Sequence, residues 1–187
     1  MNHLHYKLLN EFAIRYPTLP NLLINSYLVQ NSSLYAGKVP AIISDKHKLI
    51  CIYNSKVACS SIKKSLFPLF NIDEKVHPHN DIYPIKPTWK LLTDKSYFTF
   101  TFVRNPWDRL VSFYRDKIEG IYSTGMVNFY RKHYGSRFYH GMTFDELARL
   151  ICKIPDTVSD PHFRSQTRKL FHNGKFLPDF VGRFEYL

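Results

Sequence analysis

The chain has 187 residues, 26 Lys and Arg against 15 Asp and Glu, and 44% hydrophobic residues including 15 Phe and 13 Tyr. That composition supports one folded domain with a sizeable core and excludes a disordered chain. The formal charge of +11 calls for an anionic ligand or surface, without choosing among nucleic acid, membrane, phosphorylated cofactor and acidic glycan.

In chain order, Leu4, Leu8, Phe12 and Ile14 stand near helical spacing over 4–15, and Pro17 and Pro20 end that helix. Residues 21–40 give no clear signal. The run "KLICIY" (48–53) has the look of a parallel strand buried on both faces. The polar stretch "NSKVACSS" (54–61) follows, and Ser60 or Ser61 is expected to cap a helix carrying Ile62 and Leu66 and stopping near Pro68. Residues 71–90, rich in Pro, His, Asp and Asn, read as a loop. "SYFTFTFV" (96–103) is the clearest strand. It runs into "RNPWDRLVSFYRDKI", where Pro106 suits the first helical position and Trp107, Leu110, Val111, Tyr114 and Ile118 form an apolar stripe. Thr143 and Glu146 form a capping box for a helix over 143–153, and "DFVGRFEYL" (179–187) closes the chain as a strand. Alternating strands and helices predict an α/β fold with a central parallel sheet flanked by helices in three layers, as one domain over 1–187.

In such sheets the carboxyl ends of the strands form the ligand crevice. Two polar corners fall there. In the first, residues 54–61, backbone amides at a helix start can face an anion, Lys56 adds a point charge, and Ser60 and Ser61 add hydroxyls. The Walker pattern GxxxxGK[ST] is absent, and no Ser or Thr follows Lys56, which disfavours a magnesium-bound nucleoside triphosphate. In the second corner Arg104 ends a strand and can grip a phosphate bidentately. Ser112, two turns into the next helix, shares a face with Asp108, Arg109 and Arg115. Two such corners suit a nucleotide with phosphates at two positions.

"SKVACSSIKKSL" and "TFVRNPWDRLVSFYRDK" resemble the two nucleotide-binding signatures of carbohydrate sulfotransferases that use 3′-phosphoadenosine 5′-phosphosulfate (PAPS). "DPHFRSQ" (160–166) and "DFVGRFEYL" are similar to two later segments of that family, and all four occur in the family's order over about residues 48–187. The resemblance implies a P-loop-like fold and PAPS as co-substrate. It implies that Lys56 and the amides of Val57, Ala58, Cys59, Ser60 and Ser61 hold the 5′-phosphosulfate, and that Arg104 and Ser112 hold the 3′-phosphate. Asn54-Ser55 stands where the family has proline, and Ser60-Ser61-Ile62 where it has Thr-Asn-Trp. The chain stops just after the Phe184-Glu185 pair, where relatives continue, as a short member or a truncated chain would.

Sulfuryl transfer to a hydroxyl needs a cation at the leaving group, for which Lys56 is placed, and a general base. His79 and His77, between the corners, are the candidates for the base, His79 first because Asp81 can orient its ring. His162 and Glu185 are their rivals. Arg109 either braces the fold or borders the nucleotide. "RKHYGSRFYHG" (131–141) interleaves basic and aromatic residues that are either a solvated face or a platform for sugar rings. No HExxH or CxxC spacing implies a metal.

The expected partner is a glycan, acidic in keeping with the charge, and not nucleic acid; a P-loop-like nucleotide kinase and a non-enzymatic polyanion or RNA binder are the alternatives. No apolar run reaches the ~20 residues of a membrane helix, which leaves only peripheral membrane contact. Three cysteines without pairing motifs (Cys51, Cys59, Cys152) read as free thiols of a reducing compartment. The expectation is therefore a soluble, cytoplasmic, bacterial enzyme acting on a capsule, lipopolysaccharide or signalling glycan.

Overall fold

The structure, a computed structural model, describes residues 41–70, 89–120, 123–156, 159–172 and 174–187. The helix expected over 4–15 and most of the 71–90 loop, with His77 and His79, lie outside the described residues. The elements in chain order begin with β1 (Ala41–Ser44), β2 (Leu49–Ile52), α1 (Cys59–Leu66), a 3-10 turn (Phe67–Phe70), α2 (Trp89–Leu92) and β3 (Phe98–Val103). Then come α3 (Pro106–Lys117), α4 (Ser123–Tyr134), α5 (Phe144–Ile151), a second 3-10 turn (Thr167–Lys169), β4 (Phe171–His172), β5 (Lys175–Phe176), β6 (Phe180–Arg183) and a last 3-10 turn (Phe184–Tyr186). Strands and helices alternate as an α/β fold requires. The described residues fall into two compact units, a helical one over 106–164 and a sheet unit made of the residues up to 105 and those from 165 onward.

The sheet unit is built on a four-stranded sheet in the order β1-β2-β3-β6. β2 pairs in parallel with β3, and β3 with β6, as the apolar and β-branched runs predict. On its other side β2 has an antiparallel neighbour, β1, in place of a second parallel one. The four-residue turn between them, with Lys48 at φ 52°, is far too short for a parallel crossover. Side chains alternate across the sheet. Ile50, Ile52 and Ala41 join Leu92, Tyr97, Leu170 and Leu177 in the unit's core, while Thr99 and Thr101 are buried and Thr101 Oγ1 donates to the Ile52 carbonyl at 2.7 Å. The opposite face carries a ladder of rings, Phe98, Phe100, Phe102 and Phe180, with successive centroids 6.3–6.5 Å apart. Gly182 sits under the Phe102 ring, where a Cβ would come within 2.4 Å of ring carbons. β4 and β5 form a separate two-stranded hairpin.

The helical unit is held by one cluster: Phe113, Ile118, Val127, Tyr130, Tyr134, Phe138, Met142, Leu147, Leu150 and Ile154 are all buried. The predicted capping box is present. Thr143 Oγ1 accepts from the Glu146 amide at 3.3 Å, and the Glu146 carboxylate accepts from the Thr143 amide at 2.7 Å. The stripe expected on α3 is corrected in part. Leu110, Tyr114 and Ile118 do pack on the core, but Trp107 is 68% exposed, and Arg109, expected on the polar face with Asp108, Ser112 and Arg115, is 5% exposed. The guanidinium goes inward because backbone carbonyls await it there. A second correction concerns "RKHYGSRFYHG": Tyr134 and Phe138 pack tilted at 5.6 Å inside the core, so of its three Tyr and Phe rings only Tyr139 is exposed.

Candidate active site

The first corner starts from buried Asn54, just past β2, whose Nδ2 donates to the Phe102 carbonyl at 2.9 Å. The amide thus ties the loop to the neighbouring strand. The chain then turns through two left-handed residues that carry side chains, Lys56 (φ 65°) and Ala58 (φ 56°), a conformation costing about 1 kcal/mol or more each outside glycine. Ala58 is the N-cap of α1, and no side chain caps the helix. Ser60 and Ser61, expected as caps, lie inside its first turn, because the left-handed Ala58 starts the helix at Cys59. The left-handed turn therefore leads directly into the first turn of α1, whose N-cap residue has no side-chain oxygen to offer its amides.

Arg104, at the second corner, belongs to the same unit and meets this loop directly. Its Nη1 donates to the Lys56 carbonyl at 3.3 Å, and its guanidinium lies 4.2 Å from the centroid of the Phe184 ring. Gln166 brackets its backbone, accepting from Arg104 N at 3.0 Å and donating to Arg104 O at 2.8 Å. Arg104 Nε is buried without a hydrogen-bond partner among the described residues. An orphaned donor on a cation beside a helix N-terminus is what an anionic ligand would satisfy.

Around this junction the remaining polar groups brace the corner. Glu185 Oε1 accepts the Asn105 amide at 2.6 Å. That bond, with the Glu185 amide and the charges of Arg104 and Arg183, holds its carboxyl below the ordinary range. Lys63, on the inward side of α1, is 3% exposed and its ammonium lies 4.0 Å from the Tyr53 ring centroid. Burial pushes its pKa down, against the pull of Cys59 and Cys51. Burial likewise pushes the Cys51 thiol up to about 12, so it stays protonated. All three cysteines are free thiols, as expected.

The helical unit holds the other candidates. Ser112 is half-buried on α3. Arg109 braces the fold: Nη1 donates to the Arg164 carbonyl and Nη2 to that of Pro161, both at 2.8 Å. His162 is bonded through Nδ1 to Asp160 Oδ1 at 2.6 Å and stacks on Phe113 at 6.3 Å. When the ring is neutral, this bond places the proton on Nδ1 and makes Nε2 the basic nitrogen. Among the described residues no group of His, Cys, Asp and Glu is arranged to hold a metal ion, and no helix is long and apolar enough to cross a membrane.

Gln166, Phe184 and Lys63 have no role assigned to them from the sequence. Gln166 and Phe184 lie inside family-like segments, which is the one signal that marked them. Nothing local reveals that they meet Arg104.

A family model described as the sulfotransferase family matches residues 39–187. Carbohydrate sulfotransferase 11 of Rattus norvegicus is 32% identical over 177 residues, which cover 78% of this chain and 49% of the relative. Carbohydrate sulfotransferase 14 of Danio rerio is 30% identical over 168 residues, covering 78% and 44%. The chain thus spans about half the length of the curated relatives it matches. No solved structure matches it. The mixed, mostly parallel sheet is consistent with a P-loop-like α/β fold. With the loop and Arg104 joined at the strand ends and the match running through both corners, the chain belongs to the sulfotransferase family.

Proposed function

We propose that the chain is an enzyme that moves the sulfuryl group from PAPS to a hydroxyl of a carbohydrate acceptor. The observation that carries this reading is the junction of Arg104 with the Lys56 carbonyl, at the carboxyl ends of adjacent parallel strands. The relatives' names, carbohydrate sulfotransferases, support a glycan as acceptor, and a formal charge of +11 suits an acidic one. Lys56 and the amides of Val57, Ala58, Cys59, Ser60 and Ser61 take the 5′-phosphosulfate; Arg104 and Ser112 take the 3′-phosphate. The acceptor proton passes to His79, or to His77 two residues before it. The bond from acceptor oxygen to sulfur forms in line as that from sulfur to the phosphate oxygen breaks, and adenosine 3′,5′-bisphosphate leaves. Lys56 neutralises the charge that grows on the departing oxygen, where an ion in a partly dry site acts most strongly. Cytoplasmic residence is supported by the three free thiols.

Radiolabelled PAPS offered with a panel of glycans tests the reading. Label should move to at least one acceptor. Lys56→Ala should lower turnover by about 100-fold or more, the scale of one lost charge-stabilising group. Arg104→Ala should raise the KM for PAPS, and His79→Ala or His77→Ala should remove the rate without weakening nucleotide binding, whereas His162→Ala should not. Preference for ATP with magnesium over the 3′-phosphorylated nucleotide, or binding of polyanions with no transfer, would sink it.

A further inference from the structure

The short turn Thr167–Lys169 stitches together the ends of two adjacent strands in the sheet unit. The residue that leads into it, Gln166, meets Arg104 just past β3. Its amide oxygen accepts the Arg104 N–H at 3.0 Å and its amide nitrogen donates to the Arg104 carbonyl at 2.8 Å. Three residues on, buried Lys169 donates from Nζ to the carbonyl of Tyr53, the first residue past β2, at 3.2 Å. The Lys169 amide returns to the Gln166 carbonyl at 3.3 Å, and Leu170 sinks into the core beside it. Gln166 is therefore itself held in place.

One primary amide that pairs with both backbone groups of a single residue imitates the ladder bonding of a neighbouring strand. The pairing of β3 with β6 ends at Val103 and Arg183, so Arg104 is the first residue beyond it. Gln166 extends the hydrogen-bonded ladder by one position, and that position carries the arginine. From that fixed backbone the Arg104 side chain runs over Phe184 and onto the Lys56 carbonyl, which hold its far end. A freely rotating Arg104 would spend rotamer entropy each time it gripped a ligand.

We propose that Gln166 is the positioning residue for Arg104, so that selectivity for a 3′-phosphorylated nucleotide depends on a side chain acting through the arginine's backbone. This rests on the reading of Arg104 as the 3′-phosphate ligand. The measure is a ratio: the Kd of adenosine 5′-phosphate divided by that of adenosine 3′,5′-bisphosphate, by isothermal titration of the full chain. Gln166→Met keeps the bulk and removes both bonds. It should lower the ratio about tenfold, the scale of one or two net hydrogen bonds, while adenosine 5′-phosphate binds as before. Gln166→Asn is neutral but too short to reach; it should shift the ratio the same way, and it serves where the Met variant does not fold.

Arg104→Ala should abolish the preference, and Arg104→Ala with Gln166→Met should be no worse than Arg104→Ala alone, since residues acting as a unit are not additive. If both Gln166 variants weaken the two nucleotides equally, or neither, Gln166 is only structural and the proposal falls while Arg104 keeps its role. If Arg104→Ala keeps the preference, the reading of Arg104 fails first and the role of Gln166 with it.

Discussion

In the helical unit the buried cations bond to the chain itself. Arg109 donates to the carbonyls of Pro161 and Arg164, and Arg164 Nε donates to that of Ser159 at 2.9 Å. In the sheet unit Lys56 and Arg104 stand half-buried at strand ends, and Arg104 keeps a buried Nε without a partner among the described residues. Arg104 and Arg109 are five residues apart in one motif, yet Arg109 bonds to two backbone carbonyls while Arg104 keeps an unpaired Nε among the described residues. Their chemistry is the same. What separates them is how many carbonyls meet each guanidinium: an arginine whose fork is filled by backbone acceptors has little left for a phosphate.

The largest test of this contrast is in the helical core. Phe113 is fully buried, with the rings of Tyr130 at 5.5 Å and Phe163 at 5.3 Å. Phe113→Ala should cost about 4 kcal/mol in denaturant unfolding, through lost transfer energy and a cavity. A loss under about 1 kcal/mol would mean that this cluster does not bind the three helices together.

The sheet unit offers a test by addition in place of removal. Gly182→Ala puts a methyl group into the Phe102 ring and should cost about 2 kcal/mol by overpacking. Gly182→Ala with Phe102→Leu should recover part of it. An unchanged midpoint for Gly182→Ala would show that the aromatic ladder yields freely.

The smallest effect sharpens the structural side of the contrast. Burial works against ionisation of Asp160, but bonds from the His162 ring and amide and the charge of Arg164 outweigh it and hold the carboxyl below the ordinary value. A depressed folded pKa means that the stabilisation is complete above the unfolded value, about 3.9 for Asp, and is lost as pH falls through the folded one. Asp160→Asn should cost about 1 kcal/mol at pH 7, and its stability curve should converge on the parent's below about pH 4. Parallel curves down to acid pH would remove Asp160 from the account.

Much of this was legible because it depends on local chemistry. The strand–helix order, Pro106 at the head of α3 and the Thr143–Glu146 box follow from neighbours within four residues, and each is present. Trp107 misled because helical spacing finds the stripe that faces the core, as Leu110, Tyr114 and Ile118 do, but not how far along the helix the core extends. Arg109 turned inward for carbonyls some fifty residues away, which no window can see. Ser60 and Ser61 misled because a left-handed Ala58 is rare enough that propensity favours a serine cap. β1 went unread because "AIIS" is too short to stand out.

The sequence by itself determined that two polar strand–helix corners exist, that Lys56 and Arg104 lie in them, and which family they resemble, because these are properties of residue type and order. Only the tertiary structure decided that the corners touch, that Gln166 and Phe184 seat Arg104, and that Arg109 turns inward onto backbone carbonyls. Those outcomes depend on contacts between residues 48 to 80 apart, where loop closure and packing, not local propensity, choose each side chain's neighbours.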